Sequence, residues 1–315
     1  MTQETSSVAV LDAEGISLKS VSLWNITLRR LRRRKSALIG LTILAILTFI
    51  ALTAQWLAPY DPYTPLIGIE DVKAREAPCI HALGCPPSKP QHILGVDGNV
   101  RDQFSRLLYG ARLSLMIGFS TVTFAIIIGT VLGALGGYLG GWIDNVIMRL
   151  MDVLLAFPSL LLAIAIVTVL GPGLINALLA IGIVSIPAYA RVVRASVLSV
   201  REMDYVSASR ALGGSMTQIL FRRILPNALT PLIVQGTLGI ATAILDAAAL
   251  SFLGLGAQPP TPEWGSMLGA ERNQVFTAPH LVFFPGIAIA LTVLAFNLLG
   301  DGLRDALDPR LAHVS

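Results

Sequence analysis

Few residues in this 315-residue chain have the types and spacing that chemistry requires. His81, His92, His280 and His313 are scattered, and neither a Ser/His/Asp set nor a pair of cooperating carboxylates can be assembled from the sequence. No GxxxxGK(S/T) phosphate loop occurs, so no nucleotide hydrolysis is expected from this chain alone. Cys79 and Cys85 flank His81. Three ligands make a weak metal site, and a local disulfide on an oxidising side is the stronger reading, with two free thiols as the remaining alternative. Asp246 is the one acidic residue in a long apolar run. It either faces a cavity and attracts an ammonium group, or sits hydrated near the run's outer end or paired with an arginine of another subunit; the second reading is favoured. The last concentration of polar residues is DYVSASRALGGSMTQILFRRILPN, residues 204–227.

The elements that hold these residues are set by hydropathy. Apolar residues make up 54% of the chain and charged residues 13%, about half the charge usual for a soluble domain. Uncharged runs of spanning length recur, and Gly171-Pro172-Gly173 divides the longest of them. The expectation is an all-α polytopic membrane protein with six transmembrane helices near 37–57, 113–138, 153–170, 174–190, 232–254 and 281–299. The first reads as a retained anchor, since its basic flank is late and its apolar run too long for a signal peptide. Small residues such as Gly118, Gly129, Gly133 and Gly137 suit close helix packing. Pro158, Pro187 and Pro285 are expected to interrupt the third, fourth and sixth spans.

Basic residues set the orientation. Most of the 23 lie before the first span (Arg29 to Lys35), in the 191–230 loop, or at the ends of spans that would share that side. Both termini are therefore expected to be cytoplasmic, and the net charge of +4 is a topology signal that needs no nucleic acid. The segments follow: 1–36, a cytoplasmic lead-in whose residues 19–36 are partly amphipathic (Leu23, Ile26, Leu28, Leu31); 37–57, the first span; 58–112, a proline-rich outer loop ending in an interfacial helix at 101–112; 113–300, the membrane core with the 191–230 loop; and 301–315, a cytoplasmic tail. Arg149 and Asp152, three apart, suggest a local ion pair. Asp301, Arg304, Asp305, Asp308 and Arg310 read as an interfacial exit.

Residues 204–227 resolve into two amphipathic pieces. Ser199 and Glu202 have capping-box spacing, as do Ser215 and Gln218. Tyr205, Ala208 and Leu212 share a face, Gly213 suits a left-handed cap, and Pro226 is expected to stop the second piece. The product is a helical finger. Its small residues Ala208 and Ala211 suit insertion into a groove on another protein, and a loop resting on the membrane surface fits the periodicity equally well.

This stretch resembles the EAA loop of binding-protein-dependent ABC importer permeases: Ser207-Ala208-Ser209, Gly213 and Leu225-Pro226 match its spacing, with Ser207 where glutamate is usual. HILGVDGNVRDQFSRLLYGARLSL (92–115), LSFLGLGAQPPTPEWGSML (250–268) and FNLLGDGLRDALDPRL (296–311) resemble the C-type subunit of the dipeptide/oligopeptide/nickel branch. The resemblance implies a type I ABC importer transmembrane fold in a bacterial or archaeal cytoplasmic membrane. It makes the finger a coupling helix, with Asp204, Tyr205, Ala208, Ala211, Leu212, Gly213, Leu225 and Pro226 at the contact with an ATPase. The implied partners are a second permease subunit, two ABC ATPase subunits that use ATP and magnesium, an extracytoplasmic binding protein, a peptide substrate and membrane lipid. No cofactor or metal is expected in this chain. Nickel, glutathione or another small solute could replace peptides, and an ATPase-independent secondary transporter is the alternative from another class.

Overall fold

The computed structural model describes residues 31, 32 and 34–307. The 1–18 segment, most of the 19–36 lead-in, and Asp308 and Arg310 lie outside the described residues. The described chain forms α1 (Lys35–Leu57), α2 (Gln103–Leu139), α3 (Gly141–Leu155), α4 (Ser159–Leu170), α5 (Leu174–Arg201), α6 (Asp204–Ala211), α7 (Met216–Ile219), α8 (Leu225–Ala228), α9 (Thr230–Phe252), α10 (Trp264–Glu271) and α11 (Pro279–Leu307). Helices α1, α2, α5, α9 and α11 are long and apolar enough to cross a membrane, and the pair α3–α4 adds a sixth crossing if counted as one broken span.

That broken span carries the interruption expected at Pro158, but its first arm begins at Gly141, well before the expected 153–170 run. α3 and α4 meet at 92°, with Pro158 as the N-cap of α4. A proline disfavours helical backbone at the residue before it and removes an amide donor, so the helix breaks where the hydrophobicity is unbroken. Pro187 and Pro285, by contrast, lie inside the continuous helices α5 and α11 and interrupt neither.

α2 is longer than expected. Its 37 residues begin at Gln103, and the Asp102 side chain caps it by accepting from the Ser105 amide at 2.7 Å. At 1.5 Å per residue it extends roughly 55 Å, against a hydrocarbon core of about 30 Å. The expected interfacial helix at 101–112 is thus the first turns of α2. Its charges do not face headgroups: Arg101, Asp102 and Arg106 are buried under the 58–102 segment. Arg106 donates to the Pro62 carbonyl at 2.8 Å and the Pro260 carbonyl at 3.1 Å, and Arg101 pairs with Asp97 at 2.8 Å.

The centre of the bundle is the α2–α5 contact. Gly129, Gly133 and Gly137 lie four apart on α2, and a Cβ at Gly129 would stand 2.7 Å from the Tyr189 Cβ, one at Gly137 3.0 Å from the Arg194 carbonyl. Where lipid gives no hydrophobic drive between helices, this backbone approach supplies the packing. α1 leans on α2 and α11, and α9 is held among α2, α5 and α11.

At one end of the bundle, residues 58–102 fold against the 253–278 loop. Leu66, Val96 and Val100 form a small apolar nucleus with Tyr60 and Val72. Cys79 and Cys85 are disulfide-bonded, with Cα atoms 5.4 Å apart. Arg75 and the Gly98 amide both bind Glu271 at 2.9 Å, fastening the two loops. At the opposite end Arg34 pairs with Asp305 at 3.6 Å, joining the start of α1 to the end of α11. Asp152 pairs with Arg191 on α5, so the expected Arg149–Asp152 pair is not formed; the exposed Arg149 side chain points to the surface while the neighbouring helix brings Arg191 within reach of the carboxylate.

Candidate functional site

The finger stands at the end of the bundle that carries Arg34 and Asp305. α5 runs on to Arg201, whose guanidinium donates to the Gly137 carbonyl at 3.2 Å and the Tyr138 carbonyl at 3.3 Å. It thereby caps the C-terminal end of α2. The expected Ser199–Glu202 capping box is not formed, because buried Val197 and Val200 carry the helix through that position. Met203 precedes α6 without a side-chain cap.

α6 ends in a Schellman turn. The Gly214 amide donates to the Ser209 carbonyl at 3.0 Å and the Gly213 amide to the Arg210 carbonyl at 3.1 Å, with Gly213 at φ +81°. Only glycine takes that left-handed conformation without a Cβ penalty. Ser215 then caps α7 by accepting from the Gln218 amide at 3.3 Å, which forms one half of the expected box.

Pro226 does not stop the second piece. α7 passes through a π-helical turn, Leu220–Ile224, and continues as α8 with Pro226 in its first turn. A proline ring crowds the carbonyl four residues back, and a wider turn immediately upstream relieves that crowding. The loosened backbone is held by side chains. The Tyr205 hydroxyl donates to the Arg223 carbonyl at 3.2 Å and accepts from Asn227 Nδ2 at 3.0 Å, while Nδ2 also donates to the same carbonyl at 2.8 Å.

Burial splits the finger into two faces. Val206, Ile219 and Ile224 are buried, and they anchor it to the bundle. The face expected from Tyr205, Ala208 and Leu212 is the outer one: Leu212 is 88% exposed, Phe221 64% and Met216 53%. Asp204, Ala211 and Pro226 are exposed as well, whereas Leu225 is half-buried. Ser207, at the position where the EAA pattern has glutamate, is exposed. A notch of about 240 Å³ opens beside Gly213 and Gly214, bordered by Leu212, Ile219 and Arg223. An ordered fold that leaves large apolar side chains on a projecting tip, with Arg210, Arg222 and Arg223 around them, presents a surface for another macromolecule.

At the far end, His92 forms a buried cluster that the sequence reading passed over. Its Nδ1 lies 2.8 Å from Asp102 and its Nε2 3.1 Å from Glu70, and its ring packs against Tyr60. Burial pulls its pKa down, but the hydrogen bonds and charges of Asp102 and Glu70 outweigh that and hold it above the ordinary value. Glu263 shows the opposite balance for an acid. Burial raises its pKa against the opposing hydrogen bonds from the Gly265 and Ser266 amides, which it caps at the start of α10. Trp264 beside it donates to the Leu107 carbonyl at 3.0 Å, locking α10 onto α2. The longest of these contacts, Trp264 to Leu107, joins residues 157 positions apart and had no local signature.

Asp246 is half-buried on α9 and makes no hydrogen bond or ion pair among the described residues. The described residues hold no cluster of His, Cys, Asp and Glu suited to a metal.

Residues 111–313 match the family model described as the binding-protein-dependent transport system inner membrane component. Residues 22–78 match the N-terminal TM domain of oligopeptide transport permease C. The dipeptide transport system permease protein of Alkalihalophilus pseudofirmus is 49% identical over 93% of this chain and 91% of its own length. A di/tripeptide transport system permease protein of Pseudomonas aeruginosa is 50% identical over 89% of this chain and 90% of its own length. A glutathione transport system permease protein of Escherichia coli is 48% identical over 91% of both chains. Among solved structures, a chain of the MetNI methionine ABC transporter in an inward facing conformation superposes with a TM-score of 0.54 at 20% identity, covering 64% of this chain and 97% of its own.

Proposed function

The chain belongs to the inner membrane components of binding-protein-dependent transport systems, as a multi-pass permease subunit of an ABC importer, and we propose that the solutes it moves are di- and oligopeptides. It is a transport subunit and not itself a catalytic enzyme. The peptide reading is supported by relatives about half identical over nearly the whole chain whose names specify dipeptides, di/tripeptides and glutathione, the last itself a tripeptide.

In this reading the finger is the coupling helix. The observation that carries it is the two-faced burial of α6 and α7: one face is anchored by Val206 and Ile219, and the other leaves Leu212, Met216 and Phe221 without a covering element. The partner is an ABC ATPase subunit whose surface cleft receives that face. Two such ATPases bind and hydrolyse ATP with magnesium, a second homologous permease completes the translocation path, and an extracytoplasmic binding protein delivers the peptide to the end built from residues 58–102 and 253–278. Both termini lie in the cytoplasm, on the side of the finger. ATP-driven closure of the ATPases draws the fingers together and shifts the equilibrium from inward- to outward-facing; hydrolysis resets it.

The test is reconstitution of the purified chain with its partner subunits in proteoliposomes. Uptake of a radiolabelled dipeptide should require ATP inside and binding protein outside, and unlabelled di- and tripeptides, glutathione among them, should compete. Uptake of dipeptide driven by an ion gradient with no ATPase present would overturn the reading.

A further inference from the structure

Exposed residues divide the spanning helices into two kinds. On α1 between Leu38 and Leu57 they carry no charge, with Thr42, Thr48 and Gln55 among Ile46, Phe49 and Leu52, which suits contact with lipid tails. On α9 the unburied residues include a carboxylate. Gln235, Gly239, Thr242, Asp246, Ala249 and Leu253 recur at intervals of three or four residues and so share one stripe, none of them buried. The Tyr189 hydroxyl of α5 lies against Gly239 within it. Gln235, Thr242 and Asp246 on one incompletely buried stripe are incompatible with lipid, because an ionised carboxylate facing hydrocarbon is costly and is retained where water, an opposite charge or a substrate meets it.

Resting on the peptide reading above, we propose that this stripe lines the translocation path and that Asp246 receives the N-terminal ammonium of the peptide in transit. The charges are complementary. The residues around Asp246 on its own helix are small: Thr242 and Ala243 one turn before, Ala247, Ala248 and Ala249 directly after. They leave room beside the carboxylate for a solute. Thr242 and Gln235, one and three turns further along, offer hydroxyl and amide groups to the peptide backbone as it moves on. No charged residue lies elsewhere in α9, so Asp246 is the single fixed charge of this stripe.

The experiment uses the complete importer in proteoliposomes with its binding protein and the dipeptide alanyl-alanine. Asp246→Asn should lower the maximal uptake rate roughly ten-fold, the loss expected for one charge-assisted hydrogen bond, without changing the binding-protein concentration that gives half-maximal uptake. Asp246→Glu should restore most of it, and both variants should co-purify with the second permease as the parent does. Unchanged uptake by Asp246→Asn would overturn the proposal. So would loss of the second permease on purification, which would assign Asp246 to subunit pairing. If the parent importer takes up no dipeptide at all, the peptide reading fails and this assignment with it, an outcome separate from any effect of the substitution.

Discussion

Tyr205 and Asn227, 22 positions apart, close on one backbone oxygen: both donate to the Arg223 carbonyl, at 3.2 and 2.8 Å, and the amide also donates to the phenol at 3.0 Å. This clasp joins the outgoing helix of the finger to the returning one at the place where the π turn loosens the backbone. A lever transmits force only if its base does not flex.

Tyr205→Phe should therefore keep the fold and the ATPase contact while loosening transmission. The lost hydroxyl removes two hydrogen bonds at an exposed site, worth about 1 kcal/mol or less each, so the chain should assemble normally. The expected outcome is fewer peptides imported per ATP hydrolysed, with Asn227→Ala behaving alike and the double variant no worse than either single one. An unchanged coupling ratio would leave the clasp a purely structural brace.

Gly213 tests the finger's shape without altering its surface. A Cβ there would meet nothing within 4 Å, so any penalty comes from the backbone at φ +81° alone. That conformation costs a residue with a Cβ roughly 1–2 kcal/mol, less for asparagine. Gly213→Val should reduce recovery of the ATPase on co-purification, and Gly213→Asn should retain most of it. Ala208→Trp changes the surface instead, adding bulk on the exposed face of α6. It should abolish ATPase recovery while the chain itself remains folded by helical circular dichroism.

His92 gives the outer module a pH dependence. Both ring nitrogens face carboxylates, and only the protonated imidazole can donate to Asp102 and Glu70 together. Its folded pKa is raised, so the stabilisation is fully present below the unfolded value of about 6.5 and is lost as pH rises through the folded one. After correction for intrinsic rates, hydrogen exchange of residues 60–102 should show protection falling as the solution is made alkaline through that interval. His92→Gln should flatten the trend. Protection that increases with pH would contradict this assignment.

The sequence made the spans legible because lipid demands long uncharged runs, and it placed the Schellman glycine because the left-handed cap has few other solutions. It mislocated features decided by contact across the chain. Proline marked the break at Pro158 correctly, but the same residue type at Pro187 and Pro285 is absorbed by helices that neighbours hold in place. The interfacial helix expected over 101–112 is instead a buried start of α2, with Arg106 enclosed by the Pro62 and Pro260 carbonyls from two separate loops. Periodicity correctly grouped Tyr205, Ala208 and Leu212 but could not say whether their face turns inward or outward; Val206, alone on the other side, is what buries.

The central claim is that the outer face of the finger seats in an ATPase. Leu212, 88% exposed and at the tip of α6, is the position to probe. In a variant with Cys79 and Cys85 replaced by serine, Leu212→Cys should react rapidly with a water-soluble maleimide in the isolated chain. It should be protected in the assembled importer and form a cross-link to an ATPase subunit. Equal labelling before and after assembly, with no cross-link, would contradict the account.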